Sequence, residues 1–235
     1  MASRTNRTIA KRLGSAKQII ENTLNTAAIR EAVAPFGYSE AKMGTLRALH
    51  EAAQAAVPNR ATGTGSQREA TRKAHTLEDA ARAAHGNLAA VARAVLSDTP
   101  ERLTTLGLDR PTPAAAPDFL LAANALFAGI EKDGAIKALL AEASYDDKKL
   151  QSERARVAAF EQATLAQKAS IGGARRATAL QNAALKALDA AVARYVKIAR
   201  VALAGRPDLL ATLGIATARG GGRPRKAAAS NAAAS

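Results

Sequence analysis

The chain has 235 residues, of which about a quarter are alanine and only 3% are aromatic, and its formal net charge is +14. This composition favours helices, because alanine has the highest helix propensity. The sequence contains no cysteine, which excludes disulfides, thiolate zinc sites, iron–sulfur clusters and cysteine nucleophiles, and we expect a cytoplasmic protein. No apolar window reaches the length of a membrane-spanning helix, and the basic N-terminus lacks the apolar core of a signal peptide.

Four helices are predicted in the first half of the chain, over residues 5–34, 39–57, 66–97 and 100–106. Proline and glycine end them, because proline interrupts a helix and glycine adopts the left-handed cap conformation. Ser66 and Glu69 match a capping box at the start of the third helix. The preceding residues 62–65 are glycine-rich and predict a turn, so the second and third helices should form an antiparallel hairpin.

The second half of the chain predicts the same plan, with helices over residues 118–143, 146–170, 174–204 and 207–213. Three prolines stiffen the linker between the halves. The last 20 residues contain mainly Ala, Gly, Ser and basic residues, and they are expected to be disordered when unbound. The predicted domains are a first helical repeat (1–108), a Pro-rich linker (109–117), a second helical repeat (118–215) and a basic tail (216–235).

An internal repeat accounts for this similarity. Residues 38–108 align with residues 145–215 at a constant offset of 107, with 21 identities over 71 positions. Self-similarity at one fixed offset indicates a supersecondary unit that is used twice. We therefore expect an all-α fold, a tandem duplication of a helical-hairpin unit that forms a four-helix-bundle-like body with extra packed helices.

Residue patterns that would carry catalysis are absent from the sequence. The di-metal sites of helical bundles place a Glu three residues before a His, but arginine occupies that position before each of the three histidines, His50, His75 and His85. His75 and Asp79 have a spacing that suits either a metal or a surface hydrogen bond, and we favour the hydrogen bond. We expect no enzyme activity, no catalytic, cofactor-binding or metal-binding residue, and no cofactor.

Most of the net positive charge lies at the two ends of the chain. Five basic residues and no acid occur in residues 1–20, and four basic residues occur in residues 219–226. Residues 222–226 (Gly-Arg-Pro-Arg-Lys) resemble the AT-hook, a short motif that lies in the minor groove of A·T-rich DNA, although Gly221 replaces its first core arginine. Basic clusters bind phosphates electrostatically. The candidate nucleic-acid contacts are Arg4, Arg7, Lys11, Arg12, Arg219, Arg223, Arg225 and Lys226.

Three functional hypotheses follow. The first is a non-catalytic structural or interaction protein that self-associates as a homo-oligomer or assembly through Ala-lined helix faces. The second is a nucleic-acid-associated, nucleoid-type protein that uses its basic arms, although such tails also serve as solubilising segments. The third is a granule or membrane-surface coat, since the Ala-rich amphipathic helices resemble phasin-like proteins in composition. A mitochondrial transit peptide is an alternative interpretation of the basic N-terminus.

Overall fold

A computed structural model describes the backbone of residues 4–216 and the side chains of residues 8–216. This part of the chain is all-helical, without strands. Its α-helices are α1 (Arg4–Asn25), α2 (Ala27–Val33), α3 (Glu40–Val95), α4 (Pro100–Thr105), α5 (Ala116–Lys132), α6 (Gly134–Glu142), α7 (Asp147–Ala202) and α8 (Pro207–Thr212). A 3-10 turn over Ala34–Phe36 follows α2.

The two longest helices are continuous, so the predicted hairpins are wrong. Helices α3 and α7 have 56 residues each, and α3 runs through Pro58, the predicted turn at residues 62–65 and the predicted capping box. The predicted break at residues 171–173 is helical too. A Cβ placed on Gly63 would lie 3.5 Å from the Ala174 Cα. Helix α3 therefore packs against α7 at this point, and such tertiary packing stabilises helix where propensity is poor.

The predicted first helix of each half is divided where we expected a continuous one. The break falls at Thr26 between α1 and α2, and at Asp133 between α5 and α6. The Asp133 carboxylate accepts hydrogen bonds from the Ala135 and Ile136 backbone amides at 2.9 and 3.1 Å. These bonds satisfy amides that a new helix leaves unpaired, so Asp133 acts as an N-cap for α6.

Two compact units are built from these helices. The first consists of the described parts of Met1–Val57 and Leu180–Ser235. Its core has few aromatic rings and is lined by aliphatic side chains, including Ile20, Ile29, Met43, Leu203 and Leu213. Tyr195 is buried in this core. Its hydroxyl hydrogen-bonds the Thr23 hydroxyl, and its ring packs edge-on against Tyr38 with 5.0 Å between centroids.

The second unit is Pro58–Ala179. Its core lies around Phe119, whose ring centroid is 6.2 Å from that of Phe160 and 5.5 Å from that of His85. Aliphatic side chains surround the rings, among them Leu88, Leu96, Leu126, Ile130 and Leu140. Both units therefore bury apolar side chains from segments that are far apart in sequence.

Candidate functional site

The structure describes part of the predicted nucleic-acid interface. Helix α1 begins at Arg4, and helical spacing places Arg4, Arg7 and Lys11 on one side of it. Lys11 is exposed. The side chains of Arg4 and Arg7 lie outside the described residues. The tail candidates, Arg219, Arg223, Arg225 and Lys226, also lie outside the described part of the chain.

Arg12 is engaged within the first unit. Its guanidinium donates two hydrogen bonds to the Asp189 carboxylate on α7, one of them from Nε to Oδ1 over 3.2 Å. Arg12 and Asp189 line a shallow depression on the surface, and Lys186 lies in its wall. An arginine that is paired with a carboxylate contributes less to phosphate binding than a free one, so Lys11 and Lys186 are the more available cations here.

The three histidines lie apart from any metal-ligand cluster. Among the described residues, no group of three or more His, Asp or Glu side chains is placed to hold a metal ion. His50 and His85 are buried. His75 lies on the surface of α3 with its Nδ1 3.9 Å from a Glu78 carboxylate oxygen.

An exposed apolar strip runs along the part of α7 that belongs to the first unit. It consists of four exposed apolar residues at helical spacing, Leu180, Ala183, Ala187 and Ala190, and of Val201, which follows the exposed Arg194 on the same face. Leu180 is 61% exposed and Val201 is 63% exposed. At 1.5 Å per residue the strip is about 30 Å long. We call this surface the α7 strip. It is the candidate self-association surface, because small side chains allow a second helix to approach closely.

A polar cluster in the second unit was missed by the sequence analysis. Arg82, His85 and Arg93 lie at helical spacing on α3, and both arginines donate hydrogen bonds to carbonyl oxygens of the chain between α4 and α5. Their spacing is visible in the sequence. The linker that they contact is distant in sequence, however, so no local pattern could predict the cluster.

In comparisons with known proteins, no family model, curated protein or solved structure matches this chain. Within the described residues, no helix is both long and apolar enough to cross a membrane.

Proposed function

We propose that this chain is a non-catalytic structural protein that self-associates through the α7 strip. The observation that carries the proposal is the exposure of Leu180 and Val201 on a helix face whose other exposed residues are three alanines and Arg194. Isolated exposed leucines are common on protein surfaces, but a run of exposed apolar residues from Leu180 to Ala190 on one helix face favours an interface. A second copy of the chain is the proposed partner, since two such strips pack against each other with the geometry of paired helices.

We also propose that the chain arose by tandem duplication of one helical unit. Helices α3 and α7 begin and end at positions that differ by 107, as do α4 and α8. Gly107 and Gly214 have φ of +68° and +69°, and Gly37 and Ser144 have φ of +82° and +65°. All four residues have a left-handed backbone conformation, and the two members of each pair are 107 positions apart.

Hydrogen bonds after the short helices repeat at the same offset. The Leu108 amide donates to the Leu103 carbonyl over 2.8 Å, and the Ile215 amide donates to the Leu210 carbonyl over 3.0 Å. These are the long bonds of a glycine-terminated helix end. Burial is less uniform: Leu106 and Leu213 are both buried, whereas Leu103 is only partly buried and Leu210 is buried.

Each compact unit draws helices from both proposed copies. The first unit contains α1, α2 and the start of α3 from the first copy, with the end of α7 and α8 from the second. The second unit contains the rest of α3 and α4 from the first copy, with α5, α6 and the start of α7 from the second. We propose that each unit is a small helical bundle, and that the repeated element is a broken helix, a long helix and a short helix.

The α7 strip distinguishes the two copies. At the offset of 107, Leu180 corresponds to Lys73 and Ala183 to Thr76, whereas Ala187, Ala190 and Val201 all correspond to alanines. The start of the corresponding face on α3 is therefore more polar. This difference supports a role for the strip outside the shared fold, because packing that the fold requires would be kept in both copies.

Light scattering tests the proposal. At micromolar concentration the full chain should form a species larger than the 24.2 kDa monomer. It should persist at physiological salt, because apolar contacts are screened little by ions. A monomer at micromolar concentration and physiological salt would overturn the proposal. Flotation of the protein with lipid or polymer particles would instead favour the surface-coat alternative.

Nucleic-acid binding is the second candidate function, and the side-by-side positions of Arg4, Arg7 and Lys11 on α1 favour it. Binding to a fluorescent duplex should weaken steeply with salt, since each phosphate contact releases about one counterion. Replacing Arg4, Arg7 and Lys11 by Gln and deleting residues 219–235 should abolish it. Arg12 is left intact so that its ion pair with Asp189 is kept. Unchanged binding would place the nucleic-acid site elsewhere.

A further inference from the structure

The linker between the two halves is anchored to α3 and forms one wall of a cleft in the second unit. The Arg82 guanidinium donates hydrogen bonds to the Pro113 and Ala114 carbonyls at 2.9 and 2.7 Å. Arg93 donates from Nε to the Leu108 carbonyl over 3.0 Å. The cleft has a volume of about 190 Å³. A cavity of about 150 Å³ accommodates benzene, so the cleft has room for a small organic molecule.

A buried imidazole lines this cleft. His85 is only 4% exposed, and its Nδ1 has no hydrogen-bond partner among the described residues. A buried nitrogen without a partner is unfavourable, so such atoms in native proteins usually meet a water, an ion or a ligand. The second half of the chain has Val192 at the position that corresponds to His85. The imidazole is therefore not a requirement of the repeated helix.

The charges around the cleft favour an anion. Its described lining includes Arg93, Arg110 and three threonines but no carboxylate. The nearest acid to Arg110 is Asp109, at 3.8 Å from Nε. Burial lowers the pKa of His85, and the charges of Arg93 and Arg82 lower this pKa further. The lowered pKa favours the uncharged form of the imidazole.

The rest of the lining is apolar. Leu106, Leu108, Ala122 and Ala125 supply aliphatic surface, and Pro111 and Pro113 lie in the linker wall. A site that combines polar donors with an apolar wall selects molecules that have one charged end and one hydrocarbon end.

We propose that this cleft binds a small carboxylate with a short hydrocarbon chain. The carboxylate lies beside the His85 ring, in the positive field of Arg93 and Arg110. Its hydrocarbon chain lies against Leu106 and Ala122. This proposal does not depend on self-association or on nucleic-acid binding.

Histidine NMR of the full chain provides the test, because the chain has only three histidines. Pentanoate is titrated at pH 7 and constant ionic strength, and pentanamide serves as the uncharged control. Pentanoate should shift the ring signals of His85 to a saturating value while those of His50 and His75 stay constant. Pentanamide should bind at least about tenfold more weakly, since it cannot use the arginine charges.

Two variants test which residues of the cleft bind pentanoate. Binding to them is followed by the NMR signal of the Gly107 backbone amide, because His85→Val has no His85 ring signal. His85→Val introduces the residue of the second half and should remove binding at unchanged helicity. Arg110→Gln changes an exposed side chain and should weaken binding about three- to tenfold. The proposal is overturned if pentanoate leaves His85 unshifted, if His75 shifts equally, if only inorganic phosphate binds, or if His85→Val binds like the parent.

Discussion

The Tyr145 hydroxyl donates a hydrogen bond to Glu153 Oε1 over 3.3 Å in the core of the second unit. Both side chains are buried, and Glu153 Oε2 has no hydrogen-bond partner among the described residues. Burial raises the pKa of Glu153, although Tyr145, Lys149 and Arg156 partly oppose this. The corresponding residue in the first half is Leu46, which is also buried. An ionisable group therefore occupies a position where the other half has an aliphatic one.

We predict that Glu153→Gln stabilises the protein by about 1 kcal/mol at pH 7. The amide is uncharged, so the cost of burying a carboxylate is removed, and its oxygen still accepts the Tyr145 hydrogen bond. Urea denaturation measures the change. Leu46→Gln is the matched control and should destabilise, because it buries a polar group in an apolar site. A less stable Glu153→Gln variant would contradict this account of the pair.

The same carboxyl predicts a pH dependence. Because the pKa of Glu153 is raised above its ordinary value of 4.5 in the folded state, the folded protein takes up this proton before the unfolded chain does. The cost of burying the ionised carboxylate therefore shrinks as the pH falls through the raised pKa, and the protein has regained this stability below pH 4.5. The difference in unfolding free energy between Glu153→Gln and the parent should shrink over this range. A constant difference would be inconsistent with a raised pKa.

Replacing Gly107 or Gly214 by alanine should destabilise the protein. Gly107 and Gly214 have positive φ, which costs a residue with a Cβ about 1 kcal/mol or more. Gly214→Ala should cost more than Gly107→Ala, because its Cβ would lie 3.1 Å from a Gln18 side-chain atom. Gly86→Ala, in the exposed interior of α3, is the control and should instead stabilise by about 0.5–1 kcal/mol. Thermal melts that show equal effects at all three sites would contradict the predicted cost of a Cβ at positive φ.

Sequence patterns predicted the helix ends where local chemistry decides the structure. The short helices begin at Pro100 and Pro207 and end before glycines, because proline fits the first turn of a helix and glycine fits a left-handed cap. Asp133 also carried a usable signal, since an aspartate before Gly134 is a typical N-cap. Its meaning was obscured by apolar residues on both sides, which predicted one continuous helix.

Local patterns failed where contacts between distant segments decide the structure. Pro58 and Gly63 predict a turn, yet α3 is helical through both residues and packs against α7 near Ala174. The cleft beside His85 likewise depends on a linker that folds back onto α3. Of the predicted nucleic-acid contacts, only Arg12 has a described partner, and that ion pair with Asp189 joins residues 177 positions apart.

The variant Leu180→Lys tests most directly whether the α7 strip mediates self-association. This change introduces the residue found at the corresponding position of the first half, Lys73, so it should be tolerated on a helix surface. A buried lysine at an interface is strongly unfavourable unless it is paired. The matched control is Leu121→Lys, which alters an apolar side chain that is 74% exposed on α5.

Sedimentation velocity of the three proteins at equal micromolar concentration is the deciding measurement. The parent and Leu121→Lys should sediment as the same oligomer, and Leu180→Lys should sediment as a monomer with unchanged helicity, with a dissociation constant raised at least about tenfold. An oligomer that persists in Leu180→Lys, or that is lost equally in Leu121→Lys, would contradict the proposed role of the α7 strip.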